Sequence, residues 1–214
     1  MPSDINAAIV NACNYCWDET HGYTIGGNMN PDTDCSGLVW QSLYDEGFNV
    51  GSYRFDTSTM GSILTNAGFT EYNYYTGFPL VHGDIVMYDE GGVGHTFFYG
   101  ENVFGYTDNT ARTNSTGTLA RARIEASSSR ESGYLYPTDP DTQPGDVNNP
   151  DAPGDHPRNG TGAYWEVWVH PFYEPGGGHS WKVYRYQGGP VPPAPIDPLD
   201  ILMLKKVIDR NHFM

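Results

Sequence analysis

The sequence predicts an α+β fold, with helices first and a mostly antiparallel sheet after them. Two observations carry this prediction. Apolar residues recur at helical spacing in three segments before residue 70, each with a plausible cap. Beyond that point, runs rich in aromatic and β-branched residues alternate with glycine turns, which is the pattern of strands. The length of 214 residues suits one domain with long insertions and a tail.

The first helix is expected over "INAAIVNACNYCWDE", capped by Ser3 or Asp4. Ile5, Ala8, Ile9, Ala12, Cys13 and Cys16 share one face. "THGYTIGGNMNPDTD" follows as a glycine-rich loop. A second helix starts near Cys35, with Leu38, Val39, Ser42 and Leu43 facing inward. "TSTMGSILTNAGF" predicts a short third helix stopped by Gly68. "GDIVMYDEGGVGHTFFYGENVFGY" reads as strand, glycine turn and strand, extended into a third. "LARARIEASSS", "AYWEVWVHPFY" and "HSWKVYRYQ" are further strands, and the Pro/Asp/Asn stretch before the last two is a long loop. Residues 1–187 form the expected domain, with loop insertions at about 103–118 and 137–162. "GGPVPPAPIDP" then reads as a stiff linker over 188–198, and 199–214 as a short amphipathic helix. That helix is too short to span a bilayer and too apolar to stand in water. It is expected to dock on another protein or on a second copy of this chain.

Composition narrows the function. Eleven Lys and Arg against 26 Asp and Glu give a formal charge of −15, which disfavours nucleic acid and anionic surfaces as electrostatic partners. Three cysteines make no complete disulfide framework, and Cys13 and Cys16 read as thiols on a helix face. No export signal and no membrane span are visible in the sequence. The aspartates of the long loop, among them Asp139, Asp141, Asp146, Asp151 and Asp155, lack regular calcium-loop spacing. No metal or other cofactor is expected.

"DTDCSGLVWQSL" places Cys35 at a helix start. Unsatisfied N–H groups and partial positive charge there favour a thiolate and can receive an oxyanion. Asp34 can hold the turn, and Ser36 and Gly37 are small enough for a carbonyl to approach. A small residue opening an ordinary helix fits the same twelve letters. A thiolate nucleophile also needs a base. His95, beside a glycine turn at a strand start, suits that role best among seven histidines. His82 falls in a loop, and His170 on a late strand in an apolar setting that suits packing.

"GYTIGG", "DTDCSGLV", "GDIVMY" and "GHTFFYG" occur in the order and approximate spacing of NlpC-type cysteine peptidases, which are papain-like cell-wall hydrolases related to the CHAP amidases. The resemblance covers roughly residues 5–130. It implies a papain-like fold, Cys35 as nucleophile, His95 as base and peptidoglycan as substrate. Tyr23 resembles the family tyrosine that helps bind substrate or the oxyanion, with Asp34 and Ser36 beside the nucleophile. The family's third polar residue has no match directly after "HTFFYGEN", where Gly105 stands. Glu125 in "RIEASSS" fits that role across a hairpin-like insertion, with Asn109 and Asp108 as rivals and a solvent-facing strand position as the alternative.

The implied activity is cleavage of stem-peptide amide bonds, as endopeptidase or N-acetylmuramoyl-L-alanine amidase. The implied setting is a bacteriophage lysin, in the virion or in host cytoplasm before release to the wall, and other virion proteins are possible partners of the tail. A virion component that binds wall peptide without cleaving it is the second expectation, and an acyltransferase on the same scaffold the third.

Overall fold

Asp4 opens helix α1 (Ile5–Trp17), accepting from the Asn6 N–H through Oδ1 at 2.9 Å. In this computed structural model, residues 3–17, 23, 25–27, 33–91, 93–107, 116–127, 156–157 and 164–188 are described. The apolar stripe of α1 goes inward: Ala8, Ile9, Ala12 and Cys13 are buried, with Ile5 and Cys16 at its margin. Helix α2 (Cys35–Asp45) starts at the cysteine itself. Helix α3 (Thr57–Asn66) is held at its start by a capping box between Asp56 and Thr59. It ends at Ala67, and Gly68 follows at φ +97°. A left-handed residue there stops the helix and turns the chain into the sheet.

Among the described residues nine strands follow: β1 (Phe69–Asn73), β2 (Ile85–Asp89), β3 (Gly94–Gly100), β4 (Val103–Tyr106), β5 (Thr116–Leu119), β6 (Ala122–Ser127), β7 (His156–Pro157), β8 (Tyr164–Pro171) and β9 (Lys182–Tyr186). Seven make one sheet in the order β1-β9-β2-β3-β6-β8-β7, and every pairing in it is antiparallel. The class is therefore α+β, three helices with a mostly antiparallel sheet. Strands β4 and β5 form a separate two-stranded sheet.

Both faces of the main sheet are covered. Ile85, Met87, Phe98, Ile124, Val169 and Tyr184 pack with the three helices in the larger core. Val86, Phe97, Tyr99, Trp181 and Val183 form a second cluster with Leu80, flanked by Tyr72, Phe78, Tyr88 and Phe172. This explains why "HTFFYG" lacks polar alternation, since a strand buried on both sides reads as a continuous apolar run.

Two devices fix the frame around the site. Gly83 adopts φ +90°, and a Cβ there would meet Ile5 of α1 at 2.6 Å, so only glycine allows this turn into β2. Asp84, fully buried, accepts from Arg185 Nε at 2.8 Å and Nη2 at 2.7 Å, which ties β9 to the start of β2. The Pro/Asp loop, apart from the two residues of β7, lies outside the described residues, as do the linker and the C-terminal helix expected beyond 188.

Candidate active site

Asp34 is the N-cap of α2, with extended backbone. Its carboxylate accepts from the Gly37 N–H at 2.8 Å, the Ser36 hydroxyl at 2.8 Å, the Gly26 N–H at 2.8 Å and Arg54 Nη2 at 2.6 Å. Arg54, from the loop after α2, also donates to the Ser36 hydroxyl at 2.9 Å. Asp34 and Ser36 thus hold the loop and the helix start together. Gly37 allows the approach, because a Cβ there would lie 2.5 Å from Thr33 Oγ1 and 2.9 Å from the Gly27 carbonyl. The chain bridges Tyr23 to Thr33, and the Tyr23 ring is buried with Leu38, Ala126 and Val167.

This arrangement presents Cys35 at the first position of α2, buried against the sheet. The N–H groups of Cys35 and Ser36, first and second in the helix, have no carbonyl within the helix to bond to. They are available to a developing oxyanion.

Helix α2 packs on both β3 and β6. The pairing of those strands covers only Phe98–Gly100 against Ala122–Ile124. His95 and Glu125 stand beyond its end, on the same side as Phe97 and Arg123 by alternation. Their side chains meet there, with His95 Nε2 donating to Glu125 Oε2 at 2.9 Å. The Cys35 side chain lies near enough to the ring to help raise its pKa. Because Nε2 is taken, Nδ1 is the nitrogen left for the sulfur. Glu125 is 2 % exposed, so the solvent-facing alternative for this strand residue is overturned. Asn109 and Asp108 lie outside the described residues.

The electrostatics follow from burial and charge. Burial opposes a charged His95, but the Glu125 carboxylate and the Cys35 contact outweigh it and raise the ring's pKa to about 10. Burial likewise opposes charge on Glu125, yet His95 and His170 hold the carboxyl well below its usual range. By contrast, burial alone pushes the Cys13 thiol up to about 12. Two cysteines at similar depth therefore differ in kind: one faces a base and a helix terminus, the other only apolar neighbours.

Sequence reasoning missed several neighbours. His170, expected to pack in an apolar setting, is fully buried but donates from Nε2 to Glu125 Oε1 at 2.9 Å. Its alternation with Trp168 and Val169 gives two faces without saying which one carries the site. Only the register Arg123↔His170 against β6 does so. Arg123 Nη1 lies 3.5 Å from Glu125 Oε2. Trp181 stands edge-on to the His95 ring, with centroids 6.5 Å apart. Tyr88, opposite His95 on β2, stacks on His179 at 4.0 Å, and His179 Nδ1 pairs with Glu90 Oε2 at 3.0 Å. Burial raises the Tyr88 phenol's pKa, and negative charge at Cys35 and Glu90 pushes the same way. His170, His179 and Trp181 come from segments distant in sequence from Cys35 and His95, so no local motif could reveal them.

Among the described residues no group of three or more His, Cys, Asp or Glu side chains is arranged to hold a metal ion, and no helix is long and apolar enough to cross a membrane. No protein-family model matches the chain, and no curated protein matches its sequence.

Proposed function

We propose that this protein is a papain-like cysteine hydrolase that cleaves amide bonds in the stem peptides of bacterial peptidoglycan. One observation carries the chemistry: Cys35 opens a buried helix beside a histidine that it helps charge and whose Nε2 rests on a buried carboxylate. The wall substrate rests on the resemblance of "GYTIGG", "DTDCSGLV", "GDIVMY" and "GHTFFYG" to NlpC-type peptidases. The biological setting of that reading is a bacteriophage lysin, acting from the virion or after release from host cytoplasm.

With the proton already resting on His95 Nδ1, the Cys35 thiolate attacks the amide carbonyl carbon. The carbonyl oxygen takes the electron pair and is held by the N–H groups of Cys35 and Ser36. The C–N bond breaks as His95 returns its proton to the departing amine. Water then gives a proton to His95 and its oxygen to the thioester carbonyl. The acid leaves, and the thiolate is restored beside the protonated His95. Glu125 fixes the ring's orientation and balances its charge throughout.

The test is lysis of purified cell walls in a gel, with Cys35→Ala as control. Clearing by the wild type and none by a folded Cys35→Ala protein is expected. Equal clearing by both removes the proposal. Binding to walls without clearing by the wild type would instead support a wall-binding virion component. Mass spectrometry of the released muropeptides separates amidase from endopeptidase by which bond carries the new amine.

A further inference from the structure

The unexplained feature of the site is its second histidine. His170 is fully buried on β8, yet its ring meets no solvent and spends its hydrogen-bonding capacity on Glu125. We propose that His170 is a positioning residue of this site: its Nε2–H holds one oxygen of Glu125 so that the other oxygen stays aimed at His95. The inference rests on the cysteine-hydrolase reading given above.

The geometry argues for it. A carboxylate with two oxygens can rotate, and Glu125 has no solvent to fix it. Oε2 takes His95 at 2.9 Å, and Oε1 takes His170 at 2.9 Å, so the plane of the carboxylate is set by two rings on different strands. The His170 ring is itself fixed, stacked on Trp168 at 3.9 Å and facing Tyr173 at 5.5 Å. The charged and titratable groups around it are Glu125 and Arg123 from β6, and Tyr173 beyond β8. Arg123 donates to the Tyr173 carbonyl at 3.0 Å and lies over the Tyr173 ring, and its Nη1 stands 3.5 Å from Glu125 Oε2, a longer contact than either ring makes.

A neutral donor suits this position better than a cation. Burial lowers the His170 pKa more than Glu125 raises it, which favours the uncharged ring. It orients the carboxylate without competing with His95 for its negative charge. Nδ1 lies 3.0 Å from the Pro171 carbonyl, and a neutral ring can donate to only one of the two oxygens. The ionised carboxylate is the stronger acceptor, which assigns the proton to Nε2.

The experiment compares His170→Gln, which keeps a side-chain donor, with His170→Phe, which keeps the ring volume without one. The probe is iodoacetamide, and the extent of alkylation is read at the Cys35 peptide by mass spectrometry across pH, alongside kcat and KM on wall fragments. The expected result is a kcat about tenfold or more lower for His170→Phe with KM unchanged, a size seen when a ligand's outer partner is removed. The upper limb of its alkylation profile moves to lower pH, and His170→Gln recovers most of both. Equal losses in the two variants with an unmoved profile mean packing alone and overturn the proposal, as does an unchanged His170→Phe. Nitrogen-15 NMR of the wild type gives a result even if neither variant folds: an Nε2–H tautomer supports the assignment, and an Nδ1–H tautomer overturns it. Wild-type alkylation at Cys35 that ignores His95→Ala overturns the hydrolase reading and this proposal together. Alkylation that responds to His95→Ala but not to His170→Phe overturns the positioning role alone.

Discussion

The pairing of His95 with Glu125 has a sign that can be checked. Burial works against the charged ring, but Glu125 and Cys35 raise its pKa from the ordinary 6.5 to about 10. A group raised on folding adds stability that is complete below about pH 6.5 and is lost as pH rises through about 10. The rate profile should therefore fall near pH 10. Glu125→Gln removes the carboxylate charge, so that limb should move down by about 1–3 pH units. The rate should fall about 10²-fold or more, as when an acid–base group is misdirected. A stopped assay from pH 6 to 11 reads both. Glu125 acts in the opposite sense. Its depressed pKa adds stability above the ordinary 4.5, lost as pH falls below that, so wild type should lose more stability on acidification than Glu125→Gln, which lacks that contribution at every pH. At this scale the sequence was informative where chemistry is local. "DCSG" marks a thiol at a helix start, while His170 and Trp181 carry no local mark because their meaning depends on which strands become neighbours.

At the level of elements, helix starts were the most legible features, since caps and periodicity are written in consecutive residues. Asp34 and Asp56 both cap as their positions suggest. Strand β1 escaped notice because "FTEYN" mixes exposed and buried positions, with only Phe69 fully inward. Asp34 does more than cap α2, since it also holds Arg54 and the glycine loop. Asp34→Ala should cost about 0.5–2 kcal/mol for the cap alone, with activity falling further as the helix start loosens. Thermal melts set against turnover of the same preparation separate the two effects. Arg185→Met offers a cleaner case away from the sulfur. It strands a fully buried carboxylate at Asp84, and about 3–5 kcal/mol should be lost in urea unfolding.

For the whole molecule, the class was legible and the strand order was not. Hydrophobic patterning reports that a segment is a strand, but sheet neighbours are chosen by packing across the chain. Strand β9 settles between β1 and β2, though it follows every other described strand in sequence. Deletion after Gly189 should leave turnover of soluble muropeptides unchanged, because all residues placed at the site precede it. Deletion after Ser180 should abolish folding, because it removes Trp181 and an interior strand. Circular dichroism and turnover distinguish the two truncations.

That late interior strand also has a meaning during synthesis. Glu71 and Tyr184, joined across β1 and β9, are 113 residues apart, so the sheet closes through distant contacts that form slowly. On the ribosome, Cys35 and His95 emerge long before Trp181 and β9. A nascent chain holds Cys35 and His95 but lacks the strand that joins β1 to β2 and completes that side of the sheet. Any hydrolytic power of this protein is thereby timed to the completion of its own translation through β9.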